Sequence, residues 1–199
     1  MTDSERKLVV IVAIDVVGYS ASIEKDEANT VAKLKQYRSK LDPMISNHSG
    51  RIFNTGGDSV FAEFASAVQA LKCVIGFQKH VYAENSALLP HDRMLFRIGE
   101  NIGDVLEDGE NLLGDGVNLA ARLESICQAG SVCVSKTIYD LAQGKIDAHF
   151  HDIGLQKVKT NHFHAFDVLI NDTKKRQKKL SQPKKKLVSL AVLASVLLA

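Results

Sequence analysis

Two aspartates stand where an apolar run meets glycine. Asp15 closes the run IVAI and is followed by VVGYS; Asp58 follows Gly56-Gly57 in FNTGGDSVFAEF. No basic residue adjoins either in the sequence. Carboxylates that converge at strand ends suit a hard cation such as Mg²⁺, which takes one or two carboxylates with waters and phosphate oxygens. Two ions between paired aspartates can activate an attacking hydroxyl and neutralise a phosphate leaving group. Taken singly, each aspartate has a plainer reading: Asp15 as a strand-end cap accepting backbone N–H groups, and the glycine pair as an ordinary hairpin turn. Gly18 and Gly56-Gly57 favour the phosphate chemistry, because backbone without side chains lets phosphates come close.

The elements must bring the two aspartates together. Leu8–Ile14 is a short β-branched run, read as a buried strand that delivers Asp15 to its C-terminal end. Glu24–Asn47 carries apolar residues at helical spacing, with Pro43 expected to kink or break the helix and Ser49-Gly50 to stop it. Arg51–Thr55 and Ser59–Phe64 read as strands about the glycine turn, and Ala65–Glu84 as a second amphipathic helix. After a polar loop, Met94–Leu106 reads as a strand, Asp108–Asn111 as a turn and Val117–Cys127 as a third helix. Val132–Ser135 is a strand, Thr137–Gln143 a short helix, and residues 147–155 and 163–170 are closing strands joined by a loop that holds Lys159. The order β-α-β-β-α-β predicts an α+β, ferredoxin-like split βαβ domain, a mostly antiparallel sheet with helices packed on one face. In that plan the end of the first strand lies beside the following hairpin, so Asp15 and Asp58 are expected to meet.

Five blocks, IVAIDVVGYS, HSGRIFNTGGDSVFAEF, FRIGENIGDV, LLGDGVNLAARLES and VSKTIYDL, in this order and spacing resemble the catalytic domain of class III nucleotide cyclases, most of all the bacterial branch. Several ordered blocks are far more specific than one glycine-rich loop. The likeness covers roughly residues 5–170. It implies cyclisation of a nucleoside triphosphate, ATP by preference, to the 3′,5′-cyclic monophosphate and pyrophosphate. It also implies two Mg²⁺ or Mn²⁺ ions per site and a head-to-tail homodimer with sites shared between subunits. Asp15 and Asp58 match the metal-binding aspartates. Val16, Val17, Gly18, Tyr19 and Ser20 match the loop on metal and phosphates, the Val16 backbone being counted with the metal ligands. Asn118 matches the asparagine that orients the ribose. Arg122, four residues on and so on the same helix face, matches the arginine that stabilises charge at the α-phosphate. Lys159 matches the lysine that binds the terminal phosphates. In isolation Arg122 would be a surface arginine on an amphipathic helix.

The chain departs from the family at the base. The adenine selectors of the family are a lysine and an aspartate; here Asn54 and Asn111 stand at those positions. Lysine only donates and ionised aspartate only accepts, whereas asparagine does both. Guanylate-type members use glutamate and a small residue, so guanylate or dual specificity stays open as the alternative. Glu100 replaces an aliphatic residue; an unpaired buried carboxylate is costly, so it is expected to reach solvent, a basic partner or the dimer interface. His162 and His164 are expected on the solvated face of an edge strand. A GGDEF-type diguanylate cyclase is disfavoured, because Ser59 and Val60 follow the aspartate and GDGVNLAARLE has no counterpart there. A catalytically inactive homology domain that only binds nucleotide or dimerises has the Asn54 and Asn111 substitutions as its support, against the presence of Asp15, Asp58, Asn118, Arg122 and Lys159.

Charge is distributed unevenly over the 199 residues. Eight of the 25 Lys and Arg lie between Lys174 and Lys186, which leaves 17 against 23 Asp and Glu in the first 173 residues. An acidic body is a poor nucleic-acid surface. Three scattered cysteines without metal-ligand spacing fit a reducing compartment and small buried apolar roles. MTDSERKLVV lacks the basic-then-apolar plan of a signal peptide. We therefore expect a catalytic domain over 1–170, a basic linker over 171–186 and an apolar segment over 187–199. That segment, LVSLAVLASVLLA, would reach only about 20 Å as a helix. It is read as part of a transmembrane helix, or else a short interfacial anchor, holding the catalytic domain at the cytoplasmic side of the membrane.

Overall fold

The computed structural model describes residues 6–158, 161–171 and 173–176. Lys159 and the segment 187–199 lie outside them.

The sheet runs in the order β2-β3-β1-β4-β6-β8-β7, with β5 added beside β4. Its strands are β1 (Arg6–Val16), β2 (Gly50–Gly56), β3 (Ser59–Phe64), β4 (Phe96–Asp108), β5 (Asn111–Leu113), β6 (Ser131–Ser135), β7 (His149–Val158) and β8 (Asn161–Leu169). Among the described residues only the β4–β6 pair is parallel. The α+β plan expected from the sequence is therefore present.

Alternation along β1 sorts the core into two faces. Val10, Val12 and Ile14 pack with Leu41, Ile45, Leu71, Phe77 and Ile138, from α2 (Glu27–Asn47), α3 (Ala67–Ser86) and α5 (Lys136–Ala142). Ile11 and Ala13 pack with Ala120 of α4 (Asp115–Ile126) on the opposite face. So α2, α3 and α5 share one face as expected, and α4 covers the other. Two glycines make that seat: a Cβ at Gly99 would lie 2.2 Å from the Ala120 carbonyl and the Glu124 nitrogen, and one at Gly103 would lie 2.7 Å from Gly116 Cα. Only Gly lets helix and strand backbones approach so closely.

The first helical region is divided. Asp26 leaves helical geometry (φ −158°, ψ 88°), separating α1 (Tyr19–Lys25) from α2, and its side chain caps α2 through the Asn29 N–H at 3.1 Å. Pro43 does not break α2, which continues to Asn47. The missing N–H costs one bond, but Leu41 and Ile45 on either side are at most 1 % exposed, and their burial holds the last turn.

Glu100 reaches neither solvent nor a basic partner. It is fully buried, and neither carboxyl oxygen has a hydrogen-bond partner among the described residues. Burial pushes its pKa well above the usual carboxylate range. The carboxyl thus escapes the cost of a buried charge by holding its proton. His164 is not on an edge strand: β8 lies between β6 and β7, and His164 Nε2 meets Asp152 Oδ1 at 2.6 Å. Cys73, Cys127 and Cys133 are free and buried.

Candidate active site

The β1–β4 register sets Asp15 opposite Arg97, and β1–β3 pairing sets Ile14 opposite Val60. The end of β1 therefore lies against the start of β3. Gly57, at φ +61°, makes the tight β2–β3 turn and leaves Asp58 beside that end. Ser59 Oγ donates to Asp15 Oδ1 at 2.8 Å, and the Val16 N–H donates to Asp58 Oδ2 at 3.3 Å. The two aspartates meet as the sequence predicted. Burial raises the Asp58 pKa, and the neighbouring Asp15 charge raises it further. Two crowded carboxylates under such strain favour a bound cation, so their chemistry fits Mg²⁺ or Mn²⁺ with oxygen ligands.

Asp15 is not unpaired, contrary to its sequence surroundings. Arg97 Nη2 donates to Asp15 Oδ2 at 3.0 Å. Arg97 Nε lies 3.0 Å from Glu124 Oε1 on α4, an ion pair without hydrogen-bond alignment. Burial raises the Glu124 pKa to about 7; Arg97 opposes this, and Asp15 and Asp58 add to it. Asp15 and Glu124 thus share one guanidinium, with Asp58 beside Asp15. Sequence reasoning missed Ser59, Arg97 and Glu124. The signal available was alternation in FRIGENIG, which puts Arg97 on the face of Gly99 and Gly103.

The loop Val16–Ser20 leaves β1 through Gly18, whose φ of +69° needs glycine. The Val17 N–H is bonded to the Leu95 carbonyl at 2.9 Å. Tyr19 and Ser20 open α1, where the first N–H groups of a helix have no intrahelical acceptors. Backbone donors therefore stand beside the paired aspartates.

Asn54 and Asn111 also meet. A bulge at Phe53 shifts the β2–β3 register, so Asn54 falls opposite Phe61 and on the α4 face. There Asn54 Nδ2 donates to Asn111 Oδ1 at 3.2 Å. The same oxygen accepts the Leu112 N–H at 3.0 Å. A backbone N–H can only donate, so Asn111 cannot be flipped, and Asn54 must then present its nitrogen to it. The pair leaves Asn111 Nδ2 as a donor and Asn54 Oδ1 as an acceptor.

Asn118 is exposed on α4 and Arg122 is half-buried one turn later. Among the described residues no hydrogen bond or ion pair joins either side chain to Asp15 or Asp58.

Residues 1–171 match the family model described as adenylate and guanylate cyclase catalytic domain. A Rhizobium meliloti (strain 1021) protein named Putative adenylate cyclase 3 is 40 % identical over 156 residues, covering 77 % of this chain and 26 % of that protein. The chain thus spans about a quarter of that relative. The crystal structure of an adenylate/guanylate cyclase/hydrolase from Silicibacter pomeroyi has a TM-score of 0.80 at 35 % identity, covering 85 % of this chain and all of that one. The adenylyl cyclase CyaB of P. aeruginosa shares the fold at a TM-score of 0.72 and 23 % identity, covering 88 % of this chain and 98 % of that one.

Proposed function

The chain belongs to the adenylate and guanylate cyclase catalytic domain family, the class III nucleotide cyclases, and from that premise we propose that it is an active, metal-dependent purine nucleotide cyclase. It converts ATP to 3′,5′-cyclic AMP and pyrophosphate. The observation that carries this reading is the meeting of Asp15 and Asp58 beside the glycine turn Gly18–Ser20 that opens α1.

In the reaction the ribose 3′-hydroxyl loses its proton and its oxygen attacks the α-phosphorus in line. The bond from that phosphorus to the bridging oxygen breaks, and pyrophosphate leaves. Asp15, Asp58 and the Val16 backbone would hold Mg²⁺ or Mn²⁺, which would supply charge stabilisation to the hydroxyl and the phosphates. Gly18, Tyr19 and Ser20 offer backbone N–H groups to the phosphates. Arg97 neutralises Asp15 before substrate arrives. Asn118 orients the ribose and Arg122 stabilises charge at the α-phosphate; preorganised charge is the largest usual contribution to such a step. Lys159 binds the terminal phosphates.

Among the described residues Asn118 and Arg122 make no hydrogen bond or ion pair with the aspartates of their own chain, which supports a homodimer with two composite sites. Asp15→Ala and Arg122→Ala proteins, each inactive alone, are expected to regain partial activity on mixing, since one site of the heterodimer is intact. A verified heterodimer without activity overturns the shared site. Identification of the products from ATP and GTP, with Mg²⁺ and with Mn²⁺, tests the activity itself. No product from either base would leave the inactive homology domain standing.

A second reading concerns the base. In the pose implied by the resemblance, Asn111 stands where an aspartate accepts from adenine N6, yet it offers a donor. Asn54 stands where a lysine donates to N1, yet it offers an acceptor. Donor and acceptor in those places complement guanine O6 and N1–H. The 40 % identical relative supports ATP; the amide orientation supports GTP as a second substrate. Neutral contacts also make for modest discrimination.

The basic cluster Lys174–Lys186 followed by the apolar 187–199 supports membrane tethering with the catalytic domain on the cytoplasmic side. Among the described residues no helix is long and apolar enough to cross a membrane. Recovery of the full chain in the soluble fraction of lysed cells would remove this part of the proposal. The acidic body supports no nucleic-acid partner.

A further inference from the structure

Arg176 belongs by sequence to the basic linker, yet it is built into the catalytic domain. Its Nε donates to Asp167 Oδ2 at 2.7 Å and its Nη2 to Asp167 Oδ1. Asp167, on β8, is fully buried. The remaining guanidinium nitrogen, Nη1, donates at 2.7 Å to the carbonyl of Ile126, the last residue of α4. Two further contacts hold the same segment. Gln128 Nε2, just past α4, donates to the Lys174 carbonyl at 3.1 Å, and His151 Nε2 meets the Arg176 carbonyl at 2.7 Å.

The chemistry of α4 explains why the contact falls there. The last carbonyls of a helix lack intrahelical donors and carry the negative end of its dipole, which a nearby cation relieves. The last turn of α4 has no basic residue of its own. Arg176, fifty residues away in sequence, fills that place, and its fork ties the helix end to a buried carboxylate on the sheet. Asp167 pairs across β8–β6 with Cys133, which packs with Leu123 and Cys127 at the end of α4. Strand, helix end and tail therefore converge on one point.

That helix carries Asn118 and Arg122. It rests on Gly99 and Gly103 with no side chain between the backbones, so a shift of its C-terminal end is transmitted along its length instead of being absorbed. We propose that Arg176 is a positioning residue for the reaction: by pinning the end of α4 to Asp167 it sets the register of Asn118 and Arg122. The consequence is that the segment after the last strand is mechanically linked to the catalytic helix. This inference rests on the cyclase reading of the site for its kinetic part.

The test uses the full chain and a double variant, Arg176→Leu with Asp167→Leu, which removes the buried pair without orphaning either charge. The expected result is a thermal midpoint near that of the wild type and faster amide exchange over residues 122–126. With it, kcat falls about tenfold at a KM for the triphosphate close to the wild-type value, as small misplacements of catalytic groups do. Arg176→Lys keeps a charge on Asp167, and it folds whatever the double variant does. Its ammonium cannot hold both the carboxylate and the Ile126 carbonyl as a fork, so kcat falls several-fold. Wild-type kcat in either variant, or unchanged exchange at the end of α4, overturns the proposal. If the wild type itself cyclises neither ATP nor GTP, the functional reading fails, and the exchange measurement still decides whether Arg176 holds α4.

Discussion

Arg97 and Glu100 stand three residues apart on β4 and face opposite sides of the sheet. On the α4 side, Arg97 lies between Asp15 and Glu124, with Asp58 next to them. On the α2/α3 side, Glu100 is alone among apolar residues with no partner among the described residues. The first region buries its carboxyls in part, and the second buries Glu100 completely. The first holds them in a network with a counter-charge; the second holds one as a neutral acid. Charge gathered around a guanidinium at a strand end is a candidate site, whereas a carboxyl in a dry core is a cost to stability.

The largest expected effect comes from taking a carboxylate out of the first region. Asp58→Ala should lower kcat/KM about a thousandfold or more, as loss of a preorganised charged group does. The fold should survive, because burial and Asp15 both disfavour the Asp58 charge. Thermal denaturation beside kinetics checks this. A variant that keeps activity would show that the meeting of Asp15 and Asp58 is a turn and nothing more.

The converse substitution belongs to the second region. Glu100→Leu replaces an unpaired buried polar group by an apolar one, and it should stabilise the protein by about 1–3 kcal/mol. Cyclase activity should be unchanged, since Glu100 is on the face away from Asp15. Equilibrium denaturation measures the first and kcat the second. Destabilisation would mean that the carboxyl has a partner, and the contrast between the two faces would fail.

The two regions should also differ in their response to pH and metal. Glu100 and Glu124 both bind a proton more tightly folded than unfolded, so the folded state holds more protons. Stability then falls as pH rises. For Glu124 the fall runs from the unfolded carboxylate range to about 7; Glu100, pushed well above its usual range by burial, adds a fall of the same sign. Each pKa unit corresponds to roughly 1.4 kcal/mol. Excess Mg²⁺ at Asp15 and Asp58 favours the ionised Glu124 and should flatten the slope below pH 7, leaving the Glu100 part intact. Thermal midpoints across pH, with and without Mg²⁺ and with Glu124→Gln, test this. A metal-insensitive slope would separate Glu124 from the site.

The sequence carried much of this. Asp15 and Asp58 were legible because each ends a strand-like run at glycine, and the element order then requires their meeting. The Arg97–Asp15 pair was not, because it depends on the register of β1 against β4 across 82 positions. The place of Asn54 depends on a bulge at Phe53 that no residue type announces. Glu100 misled the reading through the assumption that a carboxyl stays ionised; burial makes protonation the cheaper answer. The break expected at Pro43 did not occur, because local backbone rules were weighed without the burial of Leu41 and Ile45. Arg176 looked like one more solvated charge in a basic run, and only the buried Asp167 distinguishes it.

The mildest form of the contrast lies at the base rim, where Asn54 and Asn111 satisfy each other without charge. Asn111→Asp removes the donor and restores an acceptor, which fits adenine N6 and opposes guanine O6. The ratio of kcat/KM for GTP over ATP should fall about tenfold, the worth of one such hydrogen bond to a charged group. ITP shares the O6 and N1–H of guanine and lacks its 2-amino group, so the wild type should treat it as it treats GTP. An unmoved ratio in the variant would place base recognition elsewhere. Rejection of ITP by a wild type that accepts GTP would move the contact to the 2-amino group, and the fixed amide orientation would then have no part in choosing the base.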